Sequence, residues 1–82
     1  MPRRRPDPLL TAFGSAIRRM RKGRGWSQEE LADRVGIHRT YVGDVERGLR
    51  NIGLINIGRI AVALGVSVAT IMTEVERERT QG

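Results

Sequence analysis

Arg39, Thr40, Gly43, Asp44 and Arg47 stand at separations that place them along one side of an α-helix, facing away from Val42 and Val45. Their chemistry suits base edges. An arginine in the first turn can donate two parallel bonds to guanine O6 and N7, and a threonine can offer its hydroxyl, or its methyl to a thymine. Gly43 leaves room for close approach. The Asp44 carboxylate can accept from a cytosine amino group, or bias the face against nearby phosphates. Plainer readings exist: Arg39 as a solvated charge, Thr40 as a helix cap, Asp44 as a surface acid. Groups fit for phosphate lie around these: Gln28 at an exposed helix start, His38 as a cap or phosphate contact, Tyr41 through its hydroxyl, then Arg47, Arg50 and Asn51.

Catalysis finds no comparable constellation. His38 is the one histidine and there is no cysteine, so a nucleophile pair has no support and a zinc site lacks ligands. Glu29 and Glu30 are neighbours, which on a helix point to different faces. No glycine-rich phosphate loop follows a strand. The expectation is a non-enzyme with no cofactor and no metal.

The elements that position these residues are legible in the stretch 27–48, SQEELADRVGIHRTYVGDVERG. Ser27 reads as an N-cap and Glu30, three residues on, completes a capping box. Leu31, Ala32 and Val35 form an apolar stripe, Gly36 ends the helix and Ile37 plugs the turn. A second helix runs from about Arg39 to Arg47, with Val42, Val45 and Leu49 inward and Gly48 ending it. Two short helices split by a glycine-containing turn match the DNA-binding helix-turn-helix pattern. Glu46, an acid beside core Val45, makes sense if paired, and Arg21 is the candidate partner.

Upstream, Asp7 and Pro8 mark a helix start, and Leu10, Phe13, Ala16, Ile17 and Met20 form its inward face up to about Lys22. Its last turn carries Arg18, Arg19, Arg21 and Lys22, expected as a cationic patch. Trp26 is expected to staple the following helix through Leu31 or the Glu30 stem. Downstream, a fourth helix spans Leu54 to Leu64, with Leu54, Ile57, Ile60, Ala61 and Leu64 inward. Gly58 within it costs about 1 kcal/mol relative to Ala, which points to close approach of another backbone. Ser67 caps a fifth helix over about Val68 to Glu78, with Glu74, Glu76, Arg77, Glu78 and Arg79 solvated. The fold class is therefore all-α, a five-helix bundle. Its one domain covers residues 7–79, between a flexible basic arm at 1–6 and a frayed tail at 80–82.

With 82 residues and aromatics at 4%, the core must be built from Leu, Ile, Val and Ala, and a partner subunit would add burial. No run of about eighteen apolar residues appears, and the arginines at 3–5 lack the apolar segment of a secretory signal. A cytoplasmic protein away from membranes is expected. The net charge of +6 is lopsided: residues 1–26 hold eight basic groups against one acid, whereas residues 27–50 hold four against five. A polyanion facing the N-terminal third accounts for that excess.

On these residues the chain resembles the phage-repressor-like (Cro/cI, or XRE) helix-turn-helix family from roughly Phe13 to Met72. The run 27–48 with the following RNIGLINIGRIAVALGVS looks most like the controller proteins of restriction–modification systems. The resemblance implies a lambda-repressor-like DNA-binding domain that binds a palindromic operator in double-stranded DNA as a homodimer. It implies base contacts by Arg39 and Thr40 and phosphate contacts by Gln28, Tyr41, Arg50 and Asn51. It also implies an internal ion pair between Arg21 and Glu46, and a dimer interface near Val66, Val68, Ile71, Met72 and Val75. A controller of this kind recruits RNA polymerase to its own promoter at low concentration and represses it at high concentration. The chain departs from the pattern with Gly53 where Ser or Thr commonly caps, and with Gly58. The alternative is another XRE-type repressor, or an antitoxin-like protein-binding module.

Overall fold

The computed structural model describes residues 7–81; the expected basic arm at 1–6 lies outside them. Five helices follow in order: α1 Pro8–Gly23, α2 Gln28–Val35, α3 Arg39–Glu46, α4 Leu54–Leu64 and α5 Val68–Gln81. No strand occurs among the described residues. α1 packs most extensively against α5 and also against α3, while α2 packs on α3 and α4. The core is aliphatic apart from Phe13, with Ile17, Leu31, Ile60, Leu64, Ile71 and Val75 fully buried at its centre.

Local chemistry sets the helix ends. Asp7 accepts from the Leu9 N–H at 2.8 Å. Ser27 and Glu30 form both halves of the capping box, at 3.0 and 3.1 Å. Ser67 Oγ accepts from the Thr70 N–H at 3.0 Å. Gly36, with φ +83°, closes α2 in the left-handed region.

At the end of α3, Gly48 (φ +75°) directs its own N–H to Val45 and the Leu49 N–H back to Asp44, the double bond pattern of a glycine-terminated helix. That geometry turns Leu49 out to 59% exposure, and Ile52 of the loop enters the core in its place. The expectation of an inward Leu49 is therefore corrected. So is that for Leu54, which is the first residue of α4 and stands outside the core, whose contact face begins at Ile57.

The decisive close approach is at Gly14, a position the periodicity does not single out. A methyl group there would sit 2.6 Å from the Glu46 carbonyl oxygen and nearer still to that of Val45. Gly48 likewise lies against Thr11, whose Cα would be 3.0 Å from an added Cβ. α1 thus crosses the C-terminal end of α3 with backbone against backbone. Within this chain no backbone comes close to Gly58, since an added Cβ there meets no atom within 4 Å.

α5 extends further than its sequence suggested. Thr80 and Gln81 are helical rather than a frayed tail, and the Thr80 hydroxyl donates to the Arg77 carbonyl at 3.0 Å. Glu74 and Glu78, one turn apart, both accept from Arg19 of α1, at 2.9 and 3.0 Å. These acids are clasped rather than solvated, and Arg19 leaves the expected cationic patch; the two carboxylates raise its pKa. Ile71 and Val75 face inward with no exposed surface, so they fill this chain's own core and cannot serve as dimer contacts.

The Gly14 crossing yields a test. Alanine is intrinsically better than glycine inside a helix by about 1 kcal/mol, yet Gly14→Ala drives a methyl into two carbonyl oxygens that cannot swing aside. A net loss of about 2 kcal/mol or more is expected from the urea unfolding midpoint; unchanged or raised stability would show that the helices do not meet there.

Candidate nucleic-acid interface

Two helices, α1 and α2, converge on the Glu46 carboxylate of α3. Arg21 of α1 donates to it from Nε at 2.7 Å and from Nη2 at 3.0 Å. Gln28 of α2 donates through Nε2, also at 3.0 Å. Arg21 has a further donor on the Trp26 carbonyl at 2.7 Å. The Arg21 and Glu46 side chains are only 9% and 2% exposed. Hydrogen bonding to Glu46 raises the Arg21 pKa despite the opposing effect of burial. Together these bonds fix the angle between α2 and α3, and they account for an acid next to core Val45.

The opposite end of α3 is open. His38 is its N-cap, with Nδ1 accepting from the Thr40 N–H at 3.1 Å. Arg39 and Thr40 are exposed in the first turn, and Thr40 is not itself the cap. One side of this turn is a hollow of about 600 Å³ bordered by Ser27, Gln28, Arg39, Gly43 and Arg47. The other side is a second hollow of about 410 Å³ bordered by Ile37, Tyr41, Arg50 and Asn56. The N-terminal turn of α3 therefore stands as a ridge, with Thr40 on both rims.

The remaining candidates take distinct places. Tyr41 is half-buried; its ring lies 5.0 Å beneath the Arg50 guanidinium and its hydroxyl accepts from Asn56 Nδ2 at 3.3 Å. That oxygen keeps its own proton to donate. Asn51 is exposed beyond α3. Gly43 is buried, and the space beside it is taken by Gln28, 3.5 Å from where a Cβ would stand. Asp44 does not face outward alone: its carboxylate binds Arg47 at 2.7 Å and lies 3.7 Å from Arg50.

Several partners were not anticipated. Glu29 approaches Arg39 at 3.5 Å across the turn, a pairing with no signature in spacing. Asn56 had one, as a polar residue between Ile55 and Ile57 in a helix whose other non-apolar side chain is Arg59. Trp26 packs on the core, and the guanidinium groups of Arg34 and Arg24 lie over its ring at 4.2 and 5.9 Å. Arg24 also donates to the Leu64 carbonyl, so the basic end of α1 is largely tied into the fold.

A family model described as helix-turn-helix matches residues 17–71, which contain the whole of α2, α3 and α4. The chain belongs to the XRE-type helix-turn-helix family, a family of DNA-binding transcription regulators. The control protein C.BamHI of Bacillus amyloliquefaciens is 49% identical over 55 residues, 66% of this chain and 68% of that protein. The crystal structure of the restriction–modification controller protein C.AhdI from Aeromonas hydrophila superposes with a TM-score of 0.74 at 45% identity, over 76% of this chain and 94% of that one. The controller protein C.Esp1396I, solved as a tetramer on its natural 35-base-pair operator, superposes with a TM-score of 0.81 at 29% identity, over 88% and 95%. The five helices and the α2–α3 unit are thus those of a known DNA-binding architecture.

Removing one member of the buried pair leaves an uncompensated charge. Glu46→Ala is expected to lower stability by about 3–5 kcal/mol, whereas Arg21→Met with Glu46→Leu recovers most of that loss. Urea unfolding of both variants measures this; equal stability of single and double variants would deny the pair its structural role.

Proposed function

We propose that this chain is a sequence-specific transcriptional regulator that reads a palindromic operator as a homodimer, in the role of a restriction–modification controller. The observation that carries the reading is the ridge at the start of α3. It presents Arg39 and Thr40 for base edges, while Gln28, His38, Tyr41, Arg47 and Arg50 line the hollows beside it and Asn51 is exposed beyond α3, all suited to phosphates. Likeness to C.BamHI, C.AhdI and C.Esp1396I supports the controller role over that of a general XRE-type repressor. In that role a first dimer recruits RNA polymerase to the chain's own promoter, and a second dimer represses at higher concentration. Cytoplasmic residence accompanies this role.

The dimer surface we propose departs from the one expected. With Ile71 and Val75 consumed by the core, it draws on Val66, Val68 and Met72 and on the exposed α4 residues Ile55 and Val62, 75% and 81% exposed. Gly58 sits between those two on the helix with open space on its Cβ side. A glycine there lets the backbone of a second copy come close, which supplies a reason for it that the single chain does not.

Titration against DNA from upstream of the chain's own gene, beside a scrambled duplex at two salt concentrations, tests the reading. A preference of about a thousandfold, with chains bound in twos, is expected; equal affinity with steep salt dependence would replace it by non-specific phosphate binding. Arg39→Ala should cost about 1–3 kcal/mol on the preferred duplex and little on the scrambled one. Val62→Glu should turn the dimer into a monomer in sedimentation equilibrium while leaving the helical circular dichroism unchanged. A dimer that survives this change would move the interface elsewhere.

A further inference from the structure

Between Ile55 and Ile57, α4 places an amide beside the first turn of α3. Asn56 is half-buried, and its Nδ2 donates to the Tyr41 hydroxyl at 3.3 Å. Tyr41 is only half-buried itself, so water could satisfy its oxygen and burial does not demand this bond. A phenol has one proton, which lies near the ring plane on one side of the oxygen, with an acceptor site on the other. The Asn56 N–H occupies the acceptor side and leaves the proton on the far side. The Arg50 guanidinium, 5.0 Å from the ring centroid, draws electron density out of the ring. Asn56, Tyr41, Arg50 and His38 all border the same hollow beside the ridge.

We propose that Asn56 is a positioning residue for phosphate binding: by donating to Tyr41 it holds the phenolic proton ready for a backbone phosphate oxygen. The inference rests on α3 being the DNA-reading helix. A phosphate oxygen can only accept, so it needs the proton that this arrangement leaves over, and the Arg50 cation at the same hollow favours an anion there. Without Asn56 the hydroxyl is shared between two opposed orientations and must be turned when the phosphate arrives. With it, one orientation is fixed beforehand, and each bond of the row from amide to phenol to phosphate polarises the next. Asn56 touches no DNA in this arrangement and acts through Tyr41 alone. Both groups are neutral, so their contribution releases no counterion and is the same on every sequence.

The experiment is a double-variant cycle, titrated at two salt concentrations against the duplex that the unaltered chain enriches from a random pool and against a scrambled duplex. Tyr41→Phe should weaken binding to both about tenfold, and Asn56→Ala about two- to fivefold. Neither should change the log–log salt slope, whereas Arg50→Ala lowers it by about one. Asn56→Asp decides the matter, because it keeps the shape but can only accept, so the Tyr41 hydroxyl must turn its proton inward. It should weaken binding at least as much as Tyr41→Phe does. In the Tyr41→Phe background Asn56→Ala should cost nothing more, and Asn56→Asp only about the twofold due to its charge. A bond that merely ties α3 to α4 survives Asn56→Asp, since the hydroxyl can donate to the carboxylate. An equal cost of Asn56→Asp in both backgrounds therefore overturns the proposal, as does unchanged binding by Tyr41→Phe. Failure of the unaltered chain to enrich any duplex would overturn the DNA-reading function itself, and is seen before any variant is made.

Discussion

One buried carboxylate governs this fold. Glu46 lies at the last turn of α3, where a helix already has a partial negative charge, and it is removed from water. Such a position is tolerable only if strong donors converge on it, and Arg21 and Gln28 supply them from two different helices. The same turn of α3 is touched by the α1 backbone at Gly14. A charge that must be paired and a backbone that leaves no room act on the same few atoms. The placement of α3 against α1 and α2 follows from both.

This concentrates constraint at one end of α3 and leaves the other end open. The C-terminal end is gripped by Gly14, Arg21 and Gln28 and closed by Gly48. The N-terminal end has only the His38 cap and, through Tyr41, a bond to Asn56. The first turn is held by what lies behind it, and its outward side chains make no contact that must be broken to meet a partner, apart from the long approach of Glu29 to Arg39. Preorganisation of this kind lowers the entropic cost of association without hiding the recognition groups.

Much of this was legible in the sequence because caps and stripes are local. Asp7, Ser27 with Glu30, Gly36 and Ser67 announce helix ends within three or four residues, and the order and bounds of the helices follow closely. The Arg21–Glu46 pair was inferable for another reason: an acid beside a core valine demands a cation. Relations across space were not inferable. Arg19 reaches Glu74 and Glu78 over more than fifty residues, and only packing of α1 on α5 brings them together. Leu49 and Ile52 exchange places because of how one glycine turns the chain. Gly14 and Gly58 are both mid-helix glycines, alike on paper, yet one is hemmed in by carbonyls and the other opens on empty space. Asp44 looked like any outward acid until its two arginines were placed.

The bond between Tyr41 and Asn56 links surfaces with different tasks. Asn56 follows Ile55 directly on α4, so the helix that steadies the first turn of α3 also carries the outward apolar residues Ile55 and Val62. In the dimer proposed above, α4 would be the rigid arm of a caliper with a reading head at each end. The span between the heads is then a property of one helix rather than of a chain of loops. One base pair is about 3.4 Å of duplex, so an arm that bent by that much would misplace its partner by a full step. In the proposed dimer that helix would set a length along DNA as well as supporting the turn proposed to read bases.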